Sequence, residues 1–316
     1  MSVTFSGGIT FTGGGFTLVA ALPSTYTAGW WAGGGPGGNK STVQRITFAT
    51  DTNTASIRGP LSLNRQAGAG VNTFTYGWIG GGAVSTIDRI TFASDTSTAS
   101  ARGSVTAGNG KGGTGNDTYG YYAGGGTPTP VSTVNRITYT TDTDAASTRG
   151  PLSAALNYLA GSGTNNYGYF GGGDGVGGGA TNVSTVNRVD YANDTPTTSV
   201  RGPLSSARYG LAASTDSTTY GWYMAGYTNI APTDVLSRVD RITYATDTAT
   251  ASIRGPLTIA TYAISGAGDS NYGWVAGTSG STIVNRITYA TDTATASSRG
   301  PLASAAYSMA TCSGAQ

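Results

Sequence analysis

The segment VDRITYATDTATASIRGPL, residues 239–257, decides the fold. Its first part alternates apolar and polar residues, which places Ile242 and Tyr244 on one side of an extended chain. A polar turn around Asp247 follows, and a second short extended stretch ends at Pro256. Two short strands joined by a polar turn predict a β-hairpin.

The same hairpin frame occurs six times along the chain. In each copy two Arg residues are thirteen positions apart, and an Asp follows the first Arg by six positions. Successive copies are separated by 44, 47, 52, 53 and 45 residues, so the frame is constant and the loops vary. The first Arg residues are Arg45, Arg89, Arg136, Arg188, Arg241 and Arg286. The second are Arg58, Arg102, Arg149, Arg201, Arg254 and Arg299. The Asp residues are Asp51, Asp95, Asp142, Asp194, Asp247 and Asp292.

Two further strands precede each hairpin. In the fifth copy, residues 206–213 predict a first strand, residues 214–218 a turn and residues 219–226 an aromatic strand. A unit of four antiparallel strands repeated every 40 to 50 residues or so is typical of β-propeller blades. The sequence therefore predicts an all-β fold, a six-bladed β-propeller of four-stranded antiparallel blades, over residues 27–316.

The ends of the chain predict how the ring closes. The first aromatic strand, residues 27–34, has no first strand before it, and residues 303–312 supply one from the C-terminus. Closure removes the open sheet edge that a linear array would carry. Residues 1–26 are left over and contain three short strand candidates. They extend a blade or plug the channel, or they form a β arm that pairs with a neighbouring subunit.

The recurring Asp and Arg residues predict structural roles. An Asp at the first corner of a tight turn accepts hydrogen bonds from backbone N–H groups two or three residues later. The paired Arg residues are expected to bond strand-end carbonyls or an Asp of the same or the adjacent blade, with their stems on aromatic rings. The alternative for the Arg pairs is an anion-binding ring.

Composition excludes several functional classes. The chain has 15 Arg, 2 Lys, 15 Asp, no Glu and no His, and its net charge is +2, so it lacks the basic surface that binds nucleic acid. We expect no membrane insertion and no signal peptide, because no apolar run is long enough. The single cysteine, Cys312, is expected to be a buried thiol.

Chemistry is equally restricted. Without His there is no Ser–His or Cys–His nucleophile pair and no imidazole metal ligand. The Gly triplets end strands rather than open helices, so they do not form phosphate-binding loops. We therefore predict that the protein is not an enzyme and that it has no cofactor, no metal and no catalytic residues.

The order of features resembles the kelch repeat. The matching pieces are the Gly triplets at residues 80–82 and 171–173, an aromatic residue before the polar turn, as at Tyr191, and Pro203 followed by Arg208 and Tyr209. The strand-four Trp of kelch repeats is absent. The chain is also similar to the propeller proteins, rich in Tyr-Gly-Tyr-Phe-Gly-Gly, of tailed phages of marine cyanobacteria. That resemblance implies a virion or tail-associated structural protein.

The loops after the aromatic strands all emerge on one face, here called the variable-loop face. They comprise residues 36–40, 83–84, 127–131, 174–182, 227–236 and 278–282. The candidate binding residues on this face are Lys40, Pro130, Asp174, Tyr227, Asn229, Ile230 and Pro232.

Two functions follow. One is a rigid virion scaffold in a tail, surface appendage or decoration, localised to the virion after synthesis in the host cytoplasm. Its partners are other virion proteins or copies of itself, bound through residues 1–26. The other is a carbohydrate- or host-receptor-binding module that contacts a host-surface glycan with the variable-loop face.

Overall fold

The hairpin frame folds as expected, and six copies of it build a closed ring. The computed structural model describes residues 2–4, 10–12, 25–126, 128–175, 181–229, 234–278 and 280–315. Within these residues there are 26 strands, of which 24 form six four-stranded antiparallel sheets. The first strand of each sheet contacts the first strands of both neighbouring sheets, and the series closes on itself. The prediction of a six-bladed β-propeller is confirmed.

Each blade runs from an inner strand beside the axis to a short outer strand. The first blade contains β3 (Ala28–Ala32), β4 (Val43–Thr47), β5 (Ser56–Arg58) and β26 (Ala310–Gly314). The second contains β6 (Gly68–Asn72), β7 (Tyr76–Gly81), β8 (Thr86–Thr91) and β9 (Ser100–Ser104). The third contains β10 (Asn109–Gly115), β11 (Tyr119–Gly126), β12 (Val134–Thr138) and β13 (Ser147–Arg149). The fourth contains β14 (Ala160–Gly163), β15 (Tyr167–Gly171), β16 (Val186–Asp190) and β17 (Ser199–Arg201). The fifth contains β18 (Ala212–Thr215), β19 (Tyr220–Met224), β20 (Val239–Thr243) and β21 (Ser252–Arg254). The sixth contains β22 (Ser265–Gly268), β23 (Tyr272–Thr278), β24 (Ser281–Thr288) and β25 (Ser297–Arg299).

The C-terminal strand closes the ring. Strand β26 pairs antiparallel with β3, and Cys312 lies opposite Trp30. The expected source of this strand, residues 303–312, was too early in the chain, because the paired residues are Ala310–Gly314. Cys312 is buried, and burial raises the pKa of its thiol.

Several strand boundaries differ from the prediction for the fifth blade. The first strand is Ala212–Thr215 rather than residues 206–213. Gly210 has a φ of 64°, a left-handed conformation that interrupts an extended chain just before this strand. The aromatic strand ends at Met224, because Ala225 and Gly226 also have positive φ values. Tyr244 lies in a 3₁₀ turn, Tyr244–Thr246, and not in the strand before it.

Aromatic rings stack between neighbouring blades. Each blade contributes one aromatic side chain from its second strand. This side chain stacks on the aromatic residue that directly follows the third strand of the next blade. Trp222 and Tyr289 are stacked with their ring centroids 3.8 Å apart, and Phe48 and Trp274 are equally close. These pairs lie in the apolar clusters between blades. Because neither sheet face is buried within one blade, the core forms only when blades pack together.

The recurring Asp and Arg residues form one repeated interblade junction, here called the node. At the first node, Oδ2 of Asp95 accepts hydrogen bonds from Trp30 Nε1 at 2.8 Å and Arg45 Nη1 at 3.0 Å. Nε of Arg58 lies 3.5 Å from the same oxygen. Asp95 belongs to the second blade and its three partners to the first.

The same arrangement recurs at every blade junction. The carboxylates that bond the Arg pair of the preceding blade are Asp51, Asp95, Asp142, Asp194, Asp247 and Asp292. At two nodes the aromatic donor is a tyrosine hydroxyl, from Tyr121 or Tyr169. The sequence predicted that these Asp side chains close their own turns. Instead, their Oδ2 atoms join neighbouring blades.

The N-terminal residues form a small separate sheet in the part that the structure describes. Strands β1 (Ser2–Thr4) and β2 (Thr10–Thr12) pair antiparallel, with Val3 opposite Phe11. This two-stranded sheet belongs to none of the six blades. The rest of the predicted arm up to residue 24 lies outside the described residues. Among the described residues, no helix has the length and apolar character needed to cross a membrane.

Candidate functional site

The two faces of the ring are built differently. Hairpin turns bearing the node Asp residues lie on one face, here called the Asp-turn face. The loops between second and third strands and the linkers between blades lie on the other, the variable-loop face. Gly68, which begins β6, pairs with Gly81, which ends β7, so linkers and variable loops meet at the same end of the blade.

A closed ring of backbone hydrogen bonds surrounds the axis on the variable-loop face. The N–H of Gly110 donates to the carbonyl of Ala67, and the N–H of Tyr158 donates to the carbonyl of Gly110. The equivalent residue of every blade bonds the preceding blade in the same way, at N–O distances of 2.6 to 2.9 Å. The ring residues are Ala67, Gly110, Tyr158, Gly210, Ala263 and Ser308. All six have φ values between 50° and 74°, although four are not glycine. The shared geometry thus fixes the backbone at the same height in all blades.

The residue before each ring position forms a border around the axis, here called the lip. It consists of Gln66, Asn109, Asn157, Tyr209, Tyr262 and Tyr307. Three amide side chains stand on the second, third and fourth blades, and three tyrosines stand on the fifth, sixth and first. One half of the lip is therefore hydrogen-bonding and the other half aromatic.

A row of tyrosine rings continues from the lip into the variable loops and is here called the tyrosine cluster. Tyr158 and Tyr209 have ring centroids 6.0 Å apart, and Tyr209 and Tyr227 are 5.6 Å apart. Tyr262 completes the cluster at 5.3 Å from Tyr227, and its side chain is 41% exposed. Burial raises the pKa of the Tyr158 and Tyr209 phenols above its ordinary value. The Asp234 carboxylate raises the pKa of Tyr227.

Two variable loops are hydrogen-bonded to the lip and to each other. Asn157 and Asp174 exchange backbone hydrogen bonds, and Tyr209 and Tyr227 do the same. Nδ2 of Asn182 donates to the carbonyl of Tyr227 at 3.2 Å, which connects the loops of the fourth and fifth blades. The tyrosine cluster is therefore held by backbone contacts as well as by ring packing.

Polar atoms at the lip are not all paired. Oδ1 of Asn109 and Oδ1 of Asn157 are buried and accept no hydrogen bond from the part of the chain that the structure describes. Oδ1 of Asp234, beside Tyr227, is also buried and accepts no hydrogen bond from the described residues. Buried acceptors in native proteins normally have a donor, but these three oxygens have almost no exposed surface, so they are not open to a ligand.

Three cations lie directly beneath the lip, and each is bonded. Arg65 pairs with Asp88 and Arg208 with Asp240, and all four side chains are almost fully buried. Lys111 is 4% exposed, and its Nζ donates to the carbonyl of Gly124 at 2.8 Å. Burial lowers the pKa of Lys111 to about 8. The residues that occupy the position of Lys111 in four other blades are Leu159, Leu211, Ile264 and Met309.

A cavity of about 240 Å³ follows the axis below the ring of backbone hydrogen bonds. Its wall is formed by the six inner strands. The inner strands of neighbouring blades lie so close together that a Cβ added to Gly70 would be 2.0 Å from the carbonyl oxygen of Thr311. The wall offers mostly backbone and small side chains.

The structure places the predicted binding residues in three separate groups. Asp174, Tyr227 and Asn229 lie in the two connected loops, and Asn229 bonds Asn182. Lys40 forms an isolated antiparallel β-bridge with Arg65, and Pro130 forms one with Gly126. These two residues are therefore separate from the connected loops. Ile230 and Pro232 lie outside the described residues.

Sequence reasoning missed the lip and most of the tyrosine cluster. It placed Tyr209 inside a strand, and it did not single out Tyr158 or Tyr262. An alignment of the six interblade linkers on their positive-φ residues shows the amide and tyrosine halves at once. That alignment needs the register of the linkers, which vary in length and carry no invariant residue.

No catalytic arrangement is evident in the described residues. They contain no group of three or more Asp, Glu, His or Cys side chains that could hold a metal ion. The six node carboxylates are each bonded to an Arg pair. The face offers stacking surfaces and hydrogen-bonding groups instead, which are the means of non-covalent recognition.

Comparison with known proteins supports the fold only. No family model and no curated protein matches the chain. Among solved structures, YjhT is similar, with a TM-score of 0.63 and 12% sequence identity. The match covers 80% of this chain and 88% of YjhT.

Proposed function

We propose that the chain is a non-enzymatic structural protein of a phage virion, in a tail or surface appendage, that presents its variable-loop face to a receptor on the host. The node network supplies the scaffold, since six junctions with the same Asp and Arg groups fix the blades. The tyrosine cluster supplies the recognition surface. The observation that carries the proposal is the contrast between a uniform Asp-turn face and a variable face with grouped tyrosines.

Aromatic side chains favour this assignment. Tyr combines a large apolar surface with a hydroxyl and is enriched where proteins bind partners. Tyr209 and Tyr227 exchange backbone hydrogen bonds, which reduces the ordering entropy that these two side chains would lose on binding. The virion setting rests on the resemblance of the repeats to phage propeller proteins, and the absence of His agrees with a non-enzymatic role.

Two measurements test this function. Immunogold labelling with an antibody raised against the purified ring should decorate the particles, at the tail or surface. The same antibody should reduce adsorption of particles to host cells. Unlabelled particles would remove the virion role. Labelled particles whose adsorption is unchanged would leave only the scaffold.

The hairpin of β1 and β2 favours a second role in assembly. It lies outside all six blades, so the ring does not need it to complete a sheet. We propose that residues 1–26 anchor the ring to another virion protein or to a second copy by strand pairing. A variant lacking residues 1–24 should fold as a ring with an unchanged melting temperature, and it should not enter particles. Normal incorporation of this variant would contradict the anchor.

A further inference from the structure

We propose that the tyrosine cluster and Asp174 bind an arginine side chain that a receptor protein presents on a surface segment. This inference rests on the proposed attachment function and names the class of partner. The cluster residues concerned are Tyr209, Tyr227 and Tyr262.

The nodes show how this chain holds a guanidinium group. At five nodes the Arg of the third strand lies over a Tyr ring, with its Cζ atom 4.1 to 4.6 Å from the ring centroid. The same Arg bonds the node Asp of the next blade at 2.8 to 3.1 Å. A Tyr face and a carboxylate together attract a guanidinium group, through the cation–π interaction and through a charge-assisted hydrogen bond.

The tyrosine cluster carries the same two kinds of group. Tyr227 packs between Tyr209 and Tyr262, whose ring centroids are 5.6 and 5.3 Å from its own. The Tyr227 hydroxyl donates to Oδ2 of Asp234 at 3.3 Å. Asp174 lies in the other connected loop and is partly exposed, as are Tyr209 and Tyr227. Aromatic faces and carboxylates therefore occur together here, as they do at the nodes.

The cations of the chain are engaged elsewhere. Of the 17 Lys and Arg residues, 12 belong to the nodes and 3 are buried beneath the lip, which leaves Lys40 and Arg238. Lys40 forms a β-bridge with Arg65, and Arg238 donates to Oγ of Ser205 at 3.3 Å. In the described residues, every guanidinium found over a Tyr ring belongs to a node. The tyrosine cluster thus has a cation-binding surface without a cation from its own chain.

The electrostatic surroundings of the phenols favour a cationic ligand. Burial, followed by nearby phenols and the Asp174 carboxylate, raises the pKa of Tyr209. The Asp234 carboxylate raises the pKa of Tyr227, and no Lys or Arg offsets either shift. At a node, by contrast, Arg136 partly offsets the increase that burial and Asp194 cause in the pKa of Tyr121. A guanidinium group from a partner would meet a negative potential at the cluster.

The partner that this surface fits is a different protein. Residues 1–26, the proposed anchor, contain no Lys or Arg and so cannot supply the cation. A second copy would bring its own Asp174 and Asp234 to a face-to-face contact, and like charges brought together oppose association. An arginine on a receptor segment would instead combine stacking on the rings with attraction to the Asp174 carboxylate.

The test uses the full chain and a set of matched peptides. A Gly-Ser peptide carrying Arg residues is compared with peptides of the same length that carry citrulline, the neutral isostere of Arg, or Glu. Binding is measured by isothermal titration and by NMR of the Tyr ring resonances, at low and at high salt. Variants are Tyr262→Ala, Tyr262→Phe and Asp174→Asn. The control is Asp117→Asn, an exposed carboxylate on the Asp-turn face, and thermal melts establish that every variant is folded.

We expect the Arg peptide to bind at least about tenfold more tightly than the citrulline peptide, and its binding to weaken as salt is added. Tyr262→Ala and Asp174→Asn should each weaken it at least about threefold. Tyr262→Phe keeps the aromatic face and should stay within about twofold of the natural protein, as should Asp117→Asn.

Three results would overturn the inference. Equal binding of the Arg and citrulline peptides would show that the ligand is not a cation. Arg-peptide binding that is unchanged in both Tyr262→Ala and Asp174→Asn would show that the site lies elsewhere. An Arg peptide that does not bind, with or without binding of phosphatidylcholine vesicles or neutral oligosaccharides in its place, would rule out the class of partner.

The outcome also separates this inference from the proposed function. If the Arg peptide does not bind but the antibody labels particles and blocks adsorption, attachment stands and the arginine site is wrong. If Arg-peptide binding follows the variants but particles are unlabelled, the site is correct and the virion role is wrong.

Discussion

The two ends of each blade differ in how much they vary around the ring. At the Asp-turn end, six nodes repeat an Asp, two Arg and an aromatic donor, with Oδ2–Nη1 distances between 2.8 and 3.1 Å. At the other end, the lip has one backbone geometry but holds one Gln, two Asn and three Tyr. The backbone thus tolerates different lip side chains, whereas each node uses the same charged groups. This difference is the basis for our proposal that the nodes stabilise the ring and that the variable-loop face serves recognition.

The largest effect is expected from removal of a node carboxylate. Asp95→Ala would leave Arg45, Arg58 and the Trp30 N–H without their shared acceptor in a largely buried site. Breaking a buried charge pair on one side costs about 3 to 5 kcal/mol. Urea unfolding should show a loss of this size, and Asp292→Ala should show a similar one, because the nodes are equivalent.

The control for the node is another Asp on the same face. Asp117 is exposed in the turn between β10 and β11, so Asp117→Ala should change the unfolding free energy by less than about 0.5 kcal/mol. Equal losses for Asp95→Ala and Asp117→Ala would mean that the nodes do not hold the blades together.

The next effect concerns the Gly that follows each second Arg. A Cβ added to Gly59 would lie 2.0 Å from the carbonyl oxygen of Ser97 in the next blade, and backbone cannot move aside cheaply. Gly59→Ala should therefore lower the unfolding free energy by about 3 kcal/mol. At Gly175, beside Asp174, an added Cβ meets nothing closer than 3.5 Å. Gly175→Ala should leave the melting temperature unchanged, and a loss as large as that of Gly59→Ala would show that the variable loops are as tightly packed as the blade junctions.

The same contrast explains how much of the molecule the sequence could predict. The constant spacing of the Arg pairs predicted the blades, their number and the closing strand, because identical packing needs identical residues. An Asp of the adjacent blade was one of the partners expected for the Arg pairs, and the structure shows that pairing. The sequence did not choose between it and strand-end carbonyls, since contacts between blades depend on the radial arrangement and not on local pattern. The lip was missed for the opposite reason, because its residues share a backbone position and no side-chain type.

An effect of intermediate size on stability is expected at Lys111, since it is a buried cation where four other blades have Leu, Ile or Met. Its folded-state pKa of about 8 is below the ordinary value of 10.5, so the unfolded chain binds the proton more tightly between these pH values. The free energy of unfolding is therefore not reduced by protonation of Lys111 above pH 10.5, and it decreases as the pH is lowered from 10.5 towards 8. Lys111→Met should be about 2 kcal/mol more stable than the natural protein at pH 7.

The difference in unfolding free energy between Lys111→Met and the natural protein should become smaller as the pH rises from 8 to 10. Urea unfolding at several pH values measures this difference, with Lys40→Met, at a partly buried lysine, as the matched control. A constant gap across this range would mean that the amine is neutral or solvated at pH 7, and the lip would then lie over a more open interior.

The smallest effect on stability is expected at the lip itself. Tyr262 is 41% exposed, and its ring packs on Tyr227 with centroids 5.3 Å apart, so Tyr262→Ala should cost less than about 0.5 kcal/mol. Tyr244 is 9% exposed and stacks on Tyr169 of the preceding blade, with centroids 4.9 Å apart. Tyr244→Ala should cost about 3 kcal/mol or more. The two variants remove the same side chain, so thermal melts compare position alone. If Tyr262→Ala proved as costly as Tyr244→Ala, the lip would be part of the core, and its variation around the ring would have to be explained by packing rather than by recognition.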